Sequence, residues 1–353
     1  MPATLSRVAG VAFPDTRELR TRFNLPADLL TTDRGNAKLA KGAARARAVI
    51  LHHLPAAALA QAITPGELTP AGPRGFLPDV FDLAERTGSS AAALAHNGCP
   101  WATAGCSEAC LAWSGRAGMG ATTIPAARAR RTLAMVAAPE TYARLVLLDV
   151  LRHWRRAQAE GLPLAVRLRG TDDAPWHTMP CPISRAEAEA IADAYGAELA
   201  PGDLPLPQRL AALPGCHPYD YSAAPVGGPL GLEAQRAAGV HVTSSFKADR
   251  GRAVRDGLAA LAGGFSLAVP VDLPRGAAIP SALILRAKGE RSSVRIATID
   301  GDAHDHRWAD PHGVVILRTK RSAGARAEVA DPFSLAAHDR PQSLADGVAR
   351  LVW

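Results

Sequence analysis

Three of the five cysteines lie within twelve residues, in the stretch NGCPWATAGCSEACLAWSGRAGMG (97–120). Cys99, Cys106 and Cys110 have the spacing C-x6-C-x3-C, and the prolines and glycines around them favour a loop. Thiolates are soft ligands that suit zinc or iron–sulfur clusters. We therefore predict that the three cysteines form a metal site, since small core residues would rarely crowd in this way.

A fourth ligand would decide which metal this site holds. His96 lies three residues before Cys99, so one imidazole and three thiolates would complete a tetrahedral zinc site. Three thiolates alone would suit a [4Fe–4S] cluster with one open iron, which can chelate S-adenosylmethionine for radical chemistry in a barrel shielded from water. The C-x2-C pair that is usual for structural zinc is absent, and both metals stay open.

Strand and helix patterns alternate after the cysteines, which predicts a parallel sheet in an α/β protein. We expect a partial parallel (β/α) barrel of about six strands. It would form a single domain over residues 47–320, with an irregular N-terminal segment (1–46) and a C-terminal tail (321–353). The strand candidates are AVILHHL, LAVRLRG, HPYDYS, VHVTSSF, FSLAVPVDLP, ALILRA, VRIATID and GVVILRT.

Polar residues follow most of these strands. In parallel barrels the reacting groups gather where the strands end, so these residues would share one rim. They are Thr171, Asp172 and Asp173; Asp220, Tyr221 and Ser222; Thr243, Ser244 and Ser245; Asp272; and Asp300 with Asp302.

The balance of charge favours anionic partners. The formal net charge is +7, which suits nucleic acid or a phosphorylated ligand, although a solvated arginine-rich surface explains it equally well. Aromatic residues make up 5%, and this disfavours a stacking platform for single strands. The sequence lacks an apolar run of about 18 residues and a secretory signal, so we expect no membrane and a cytoplasmic protein with reduced thiols.

A second group of metal-ligating residue types lies in the segment IDGDAHDHRWADPHG. Carboxylates and imidazoles could bind a divalent metal and activate water, which makes a nuclease the alternative enzyme class. The segment is also typical of a hairpin turn between two strands. A zinc-stabilised nucleic-acid-binding protein without catalysis is the third possibility. The residues concerned are Asp300, Asp302, His304, Asp305, His306, Asp310 and His312.

Several blocks resemble, in order, those of the gene product 88 family of bacteriophages, plasmids and related mobile elements. The resemblance runs from Leu29 to Lys320, and this family implies no particular activity. The blocks are CPWATAGCSEACLAWSGRAG, RLRGTDDAPWH, HPYDYS, HVTSSF and IDGDAHDHRWADPHGVVILRTK.

The cysteine loop is also similar to that of phage-type radical S-adenosylmethionine proteins, although those have C-x2-C where this chain has C-x3-C. This second resemblance implies a partial (β/α)6 barrel and a [4Fe–4S] cluster on the three cysteines, with Zn2+ as the alternative. It places the amino group and ribose of S-adenosylmethionine at the turn 170–173, where Thr171, Asp172 and Asp173 lie. Ser244 and Ser245 would add hydroxyl groups.

Overall fold

The computed structural model describes residues 13–66, 75–108, 110, 112, 122–274, 276–319 and 334–353. Helices and strands alternate along much of these ranges, which confirms the predicted α/β class. The strands are β1 (Leu30–Thr32), β2 (Arg47–Leu51), β3 (Leu164–Arg167), β4 (Cys216–Ser222), β5 (His241–Ser245), β6 (Leu267–Asp272), β7 (Ala282–Ala287), β8 (Val294–Asp300), β9 (Val314–Arg318), β10 (Leu335–Ala336), β11 (Gln342–Leu344) and β12 (Gly347–Val352).

The helices are concentrated before β3 and become sparse after β6. None of them, within the described ranges, is long and apolar enough to cross a membrane. They are α1 (Pro14–Arg22), α2 (Ala37–Ala40), α3 (Ala56–Ile63), α4 (Pro78–Thr87), α5 (Ser90–Ala95), α6 (Ala104–Glu108), α7 (Thr123–Ala137), α8 (Pro139–Ala159), α9 (Arg185–Tyr195), α10 (Leu206–Ala211), α11 (Leu232–Ala237) and α12 (Ala253–Ala262).

One twelve-stranded sheet joins all the strands of the described residues. Its order is β1-β2-β3-β4-β5-β6-β9-β8-β7-β12-β11, with β10 beside β6. The run from β2 to β8 in this order is parallel. Strand β10 also pairs in parallel with β6, whereas β1, β7, β12 and β11 pair antiparallel. The path ends at β1 and β11 without closing, so the sheet is open and mixed.

Both segments outside the predicted 47–320 domain contribute to this sheet. The N-terminal segment, expected to be irregular, contains α1 and β1. The C-terminal segment supplies β10, β11 and β12, and β12 pairs with β7 from Gly347 to Val352. The domain boundaries therefore stay predictions, while the strands on either side of them belong to one sheet.

Helix α8 shows how the main core forms. Proline occupies its first turn, where a missing N–H costs nothing, and apolar residues then recur at helical spacing. Leu147 and Leu151 on this helix are buried with Val49 of β2 and Val166 of β3. Burial of that apolar face fixes α8 against the parallel strands and leaves their ends free for loops.

The connection between β8 and β9 corrects one expectation. The segment was predicted to form a hairpin turn, but β8 and β9 pair in parallel, so residues 301–313 form a crossover. The antiparallel partner of β8 is β7, while β9 lies between β6 and β8. A run of turn-forming residues favours a change of direction but does not specify which strand pairs with which.

Replacement of Leu151 by alanine tests the core assignment. Leu151 is fully buried, so Leu151→Ala should lower the free energy of unfolding by about 2–5 kcal/mol through lost burial and a residual cavity. Leu94→Ala is the matched control, because Leu94 is 56% exposed and its truncation should have little effect. Urea unfolding measures both, and equal losses would contradict the assignment of α8 to the core.

Candidate functional site

The carboxyl ends of the parallel strands meet at one edge of the sheet, which we call the rim. Strand β2 is followed there by His52 and His53, and β3 by the turn 170–173. The parallel pairing of β2 with β3, and of β3 with β4, places these segments side by side. Because the alternation of strands and helices dictates this alignment, polar residues that are distant in sequence come together.

The cysteine loop is held across this rim by three hydrogen bonds. The backbone N–H of Asp173 donates to the carbonyl of Gly98 at 2.6 Å. The N–H of Gly105 donates to Oδ2 of Asp249 at 3.0 Å, and Nζ of Lys247 donates to the carbonyl of Trp101 at 3.1 Å. The loop is thus tied to the ends of both β3 and β5.

The thiol of Cys99 lies in a charged environment that both predicted residue sets supply. Burial raises the pKa of Cys99 well above its usual value. The carboxylates of Asp172 and Asp173 and the thiols of Cys110 and Cys106 raise this pKa further. The cysteines and the acidic turn after β3 therefore lie within electrostatic reach of one another.

These donors do not form a metal site as they stand. In the part of the chain that the structure describes, no group of three or more His, Cys, Asp or Glu side chains is arranged to hold a metal ion. The chemistry of three neighbouring thiols nevertheless suits zinc or an iron–sulfur cluster. Because the pKa of Cys99 is raised, a metal would have to displace its thiol proton.

The remaining cysteines and His96 have different surroundings. None of the five cysteines forms a disulfide, and Cys181 and Cys216 are buried in the main core. Burial lowers the pKa of His96, although Asp172 opposes this shift, so the imidazole is neutral near pH 7. A neutral imidazole is the form that binds a metal, and His96 stays a candidate fourth ligand.

Asp172 is the most unusual side chain of the site. Its carboxylate is 1% exposed, and neither oxygen has a hydrogen-bond partner among the described residues. Nδ1 of His53 lies 3.2 Å from Oδ2, but without the geometry of a hydrogen bond. A buried carboxylate left without donors costs free energy, which makes Asp172 a candidate for binding a ligand that supplies them.

The neighbours of Asp172 are satisfied by the protein itself. The hydroxyl of Thr171 donates to the carbonyl of His53 at 2.5 Å. Asp173 receives hydrogen bonds from Nη1 of Arg169 at 3.2 Å and from the N–H of Ala223 at 3.4 Å. Burial raises the pKa of Asp173, and Arg169 counteracts this shift. Of the three predicted cofactor-binding residues in this turn, only Asp172 has side-chain oxygens without a hydrogen-bond partner among the described residues.

Ser244 and Ser245 lie farther along the rim. They line a shallow cleft together with Lys247 and Arg250. Arg250 pairs with Asp256 at 3.2 Å, whereas Lys247 contacts the cysteine loop through its bond to Trp101. The predicted serines thus belong to the same rim, but in a cleft that reaches the cysteines only through Lys247.

Asp220, predicted at the rim, and Asp305, from the segment IDGDAHDHRWADPHG, act as internal counterions. Asp220 is buried and accepts from Nε of Arg169 at 3.0 Å and from Nε of Arg167 at 3.4 Å. Asp305 lies 3.1 Å from Nζ of Lys38 and 3.5 Å from Nη1 of Arg167. These side chains hold strands and loops together and have no capacity left for a ligand.

The other acidic residues of the crossover are paired in the same way. Asp300 and Asp302 both contact Nη1 of Arg318, at 2.8 and 3.3 Å. Asp310 lies 2.7 Å from Nη1 of Arg307. The ion pairs account for the carboxylates of this segment without a metal, and the nuclease stays an untested prediction.

His52, Arg128 and Arg131 are rim residues that the sequence patterns did not single out. His52 directly follows β2, whereas Asp172 lies five residues after the end of β3. The sequence pattern placed His52 inside the strand candidate AVILHHL, so the search for polar residues after strands did not select it. Arg128 and Arg131 lie three apart on α7, a spacing that places them on one helix face.

The fold and the rim together define an α/β protein whose parallel strands end beneath a cysteine-bearing loop. The model of the gene product 88 family matches residues 29–332, and the chain therefore belongs to this family. The match confirms the resemblance inferred from Leu29 to Lys320. Comparison with curated proteins and with solved structures finds no match.

Glycine at position 170 is required by the packing of the rim. A Cβ there would lie 2.6 Å from Cε1 of His52 and 2.7 Å from Cγ2 of Ile50, closer than real Cβ contacts. Gly170→Ala should therefore displace His52 and lower the free energy of unfolding by about 1–3 kcal/mol. Gly66→Ala is the control, since an added Cβ at Gly66 meets no atom within 4 Å. Thermal unfolding that is equal for both variants would refute this packing.

Asp305 should give the protein a defined loss of stability in acid. Burial opposes its ionisation, but Lys38 and Arg167 hold the pKa of Asp305 well below its usual range. A carboxylate with a lowered folded-state pKa stabilises the protein above about pH 4, and the contribution is lost as the pH falls further. Asp305→Asn should cost about 3 kcal/mol at pH 7, and the difference from wild type should shrink below about pH 4.

Urea unfolding between pH 7 and pH 3 measures this difference. Asp339→Asn serves as the control, because Asp339 is exposed and its carboxylate has no ion-pair partner in the described ranges. A constant difference between wild type and Asp305→Asn across this pH range would contradict the role of Asp305.

Proposed function

We propose that this protein binds a [4Fe–4S] cluster through Cys99, Cys106 and Cys110 and acts as a radical S-adenosylmethionine-type enzyme. The observation that supports the proposal most directly is the environment of Cys99. Its thiol interacts electrostatically with the other two thiols and with Asp172. Two sets of residues that the sequence selects on separate grounds thus lie within electrostatic reach of each other.

The architecture is compatible with this chemistry. A run of parallel strands with helices before and between them is the basic unit of a partial (β/α) barrel, and the proposal takes the open sheet as that barrel. The cysteine loop is tied to the ends of β3 and β5 by its bonds to Asp173 and Lys247. A loop that lay over the rim would keep water away from a reactive species.

Individual side chains have distinct roles in the proposed complex. The cluster, when bound, would supply the electron that cleaves the sulfonium of S-adenosylmethionine. Asp172 would accept hydrogen bonds from the ammonium group of S-adenosylmethionine, because its buried oxygens have no donors of their own. Ser244 and Ser245 would offer hydroxyl groups from their cleft, and Asp173 would hold the loop through its bond to Gly98.

The cellular setting is part of the same proposal. Cysteines can bind an iron–sulfur cluster only while their thiols stay reduced, which requires a reducing compartment. We therefore propose that the protein is cytoplasmic. The net charge of +7 favours an anionic partner, either nucleic acid or a phosphorylated molecule. Whether the metal is iron or zinc is the point that a direct measurement must decide.

Anaerobic purification followed by metal and sulfide analysis tests the cluster. The wild-type protein should be brown, absorb broadly near about 400 nm and contain iron and sulfide. Cys99→Ala, Cys106→Ala and Cys110→Ala should each lose most of the iron. Cys216→Ala is the matched control, because Cys216 is buried in the core and should not affect iron content. Reduced protein given S-adenosylmethionine should release 5′-deoxyadenosine, and Asp172→Asn should weaken this reaction.

Other results would favour the alternatives. Colourless protein with one zinc would replace the cluster by a structural zinc site on the three cysteines and His96. Iron that persists in all three cysteine variants would exclude the loop as its ligand. Cleavage of labelled DNA or RNA with Mg2+ that Asp300→Ala abolishes would instead support the nuclease.

A further inference from the structure

Two partly buried arginines of α7, Arg128 and Arg131, lack carboxylate counterions in the described part of the chain. Arg128 donates from Nη1 to the carbonyl of Ala112 at 2.6 Å, and Arg131 donates from Nη1 to the carbonyl of His52 at 3.4 Å. Nε of Arg131 is buried and has no acceptor. Across the described part of the chain, neither guanidinium forms an ion pair with a carboxylate, although most other arginines near the rim do.

The surroundings disfavour two positive charges at this position. Burial and the neighbouring Arg131 lower the pKa of Arg128 to about 10. Burial likewise lowers the pKa of Arg131, with Asp28 and Asp149 as more distant acidic neighbours. These two acids already have partners, since Asp28 lies 2.7 Å from Nε2 of His153 and Asp149 lies 2.9 Å from Nη2 of Arg20. The excess positive charge therefore stays uncompensated within the protein.

His52 faces the same place. Burial, together with Arg128, Arg167 and Arg131, lowers the pKa of His52 to about 2. Its imidazole is thus neutral at every pH at which the protein would work, and it adds no further positive charge. Nδ1 of His52 is buried and has no hydrogen-bond partner among the described residues. Nδ1 lies against Gly170, and Arg131 contacts His52 through the backbone carbonyl.

The fold holds these groups in fixed positions. Thr132, next to Arg131, accepts a hydrogen bond from the N–H of Leu54 at 2.9 Å and donates to the carbonyl of the same residue at 3.2 Å. This pair of bonds fastens α7 to the segment that follows β2, in which His52 lies. The arrangement is preorganised, because both backbone segments are set before any ligand arrives.

We propose that Arg128 and Arg131 form a binding site for the terminal phosphate of a small phosphomonoester. A phosphomonoester carries nearly two negative charges above about pH 6, which matches two guanidinium groups, whereas a carboxylate carries one. Guanidinium groups bind tetrahedral oxyanions through pairs of parallel N–H donors, which their planar shape favours. The phosphate would supply the acceptors that Nε of Arg131 lacks.

The burial of the site favours a small molecule over a nucleic-acid backbone. An internal phosphodiester carries one charge and continues as chain on both sides, while a terminal phosphate needs room on one side only. Arg128 also interacts electrostatically with Cys110. The main alternative is therefore that the two arginines balance the negative charge of a metal cluster on the cysteines. A measurement on protein without the three cysteines separates the two.

Isothermal titration calorimetry at pH 8 tests the proposal, with inorganic phosphate and a nucleoside 5′-monophosphate as probes. The wild-type protein should bind one equivalent of either probe in constant chloride. Arg128→Gln and Arg131→Gln should each weaken binding at least about tenfold, because charge-assisted hydrogen bonds are lost. Arg130→Gln is the matched control, because it removes the same charge from the same helix. Arg130 has no ion-pair partner in the described ranges. This substitution should change the affinity for either probe less than about twofold.

The triple variant Cys99→Ala, Cys106→Ala, Cys110→Ala should keep the wild-type affinity for both probes. Arg131→Lys keeps the charge but not the paired donors and should bind with intermediate affinity, which distinguishes lost binding from failed folding. Absence of saturable binding to wild type, or equal affinity of wild type, Arg128→Gln and Arg131→Gln, would overturn the proposal. Loss of binding in the cysteine variant would also overturn it and would assign the arginines to charge balance at the metal site. An oligonucleotide without a terminal phosphate that bound as tightly as the monophosphate would refute the preference for a monoester.

Discussion

The carboxylate of Asp220 holds together the part of the sheet on which the site depends. It accepts from the side chains of both Arg167 and Arg169, and from the backbone N–H of Arg169 at 3.0 Å. All three side chains are largely buried, so these bonds form in a medium that strengthens electrostatic attraction and penalises their loss. Strand β3 is thereby fixed against β4 at their carboxyl ends, and the turn that begins at Gly170 leaves the sheet in a defined direction.

That constraint extends to the cysteine loop. Arg169 also contacts Asp173, whose backbone N–H binds the carbonyl of Gly98 next to Cys99. One chain of contacts therefore runs from the interior of the sheet to the first cysteine. Asp172 lies within this chain of contacts but takes no hydrogen bond from it. The residues on both sides of Asp172 are held in place by hydrogen bonds. Its carboxylate therefore stays buried and cannot move to reach another hydrogen-bond donor.

The sequence predicts the elements of this structure better than their pairing. Alternating apolar patterns locate β3, β4 and β5, and polar residues after strands locate the turn with Asp172. The sequence pattern does not predict the ion pair of Asp305 with Lys38, because Lys38 lies 267 positions earlier in the chain. The two side chains are neighbours only in the folded structure, in which the crossover packs on the sheet. The crossover itself was expected as a hairpin, since local turn preferences carry no information on strand order.

The same limit explains why the carboxylates of the crossover looked like metal ligands. Residue types show which chemistry is possible, whereas the charges nearby decide whether a group is free to perform it. Asp300 and Asp302 have Arg318 as their partner, although eighteen and sixteen positions separate the residues along the chain. The paired carboxylates stabilise the fold, and Asp172, whose oxygens lack a hydrogen-bond donor, is the better candidate for binding. A charged residue is thus best judged by its partners.

A carboxylate without hydrogen-bond donors, Asp172, and two arginines without carboxylate partners, Arg128 and Arg131, lie near the dipeptide His52-His53. His53 lies beside Asp172, and His52 lies near Arg128 and Arg131. No ion pair joins Asp172 to either arginine, although mutual neutralisation would stabilise the fold. Structures keep such uncompensated groups apart chiefly where ligands supply the missing partners, at a cost in stability that the rest of the core must offset. The two proposed binding positions, one for a cationic group and one for an anionic group, therefore lie on one rim.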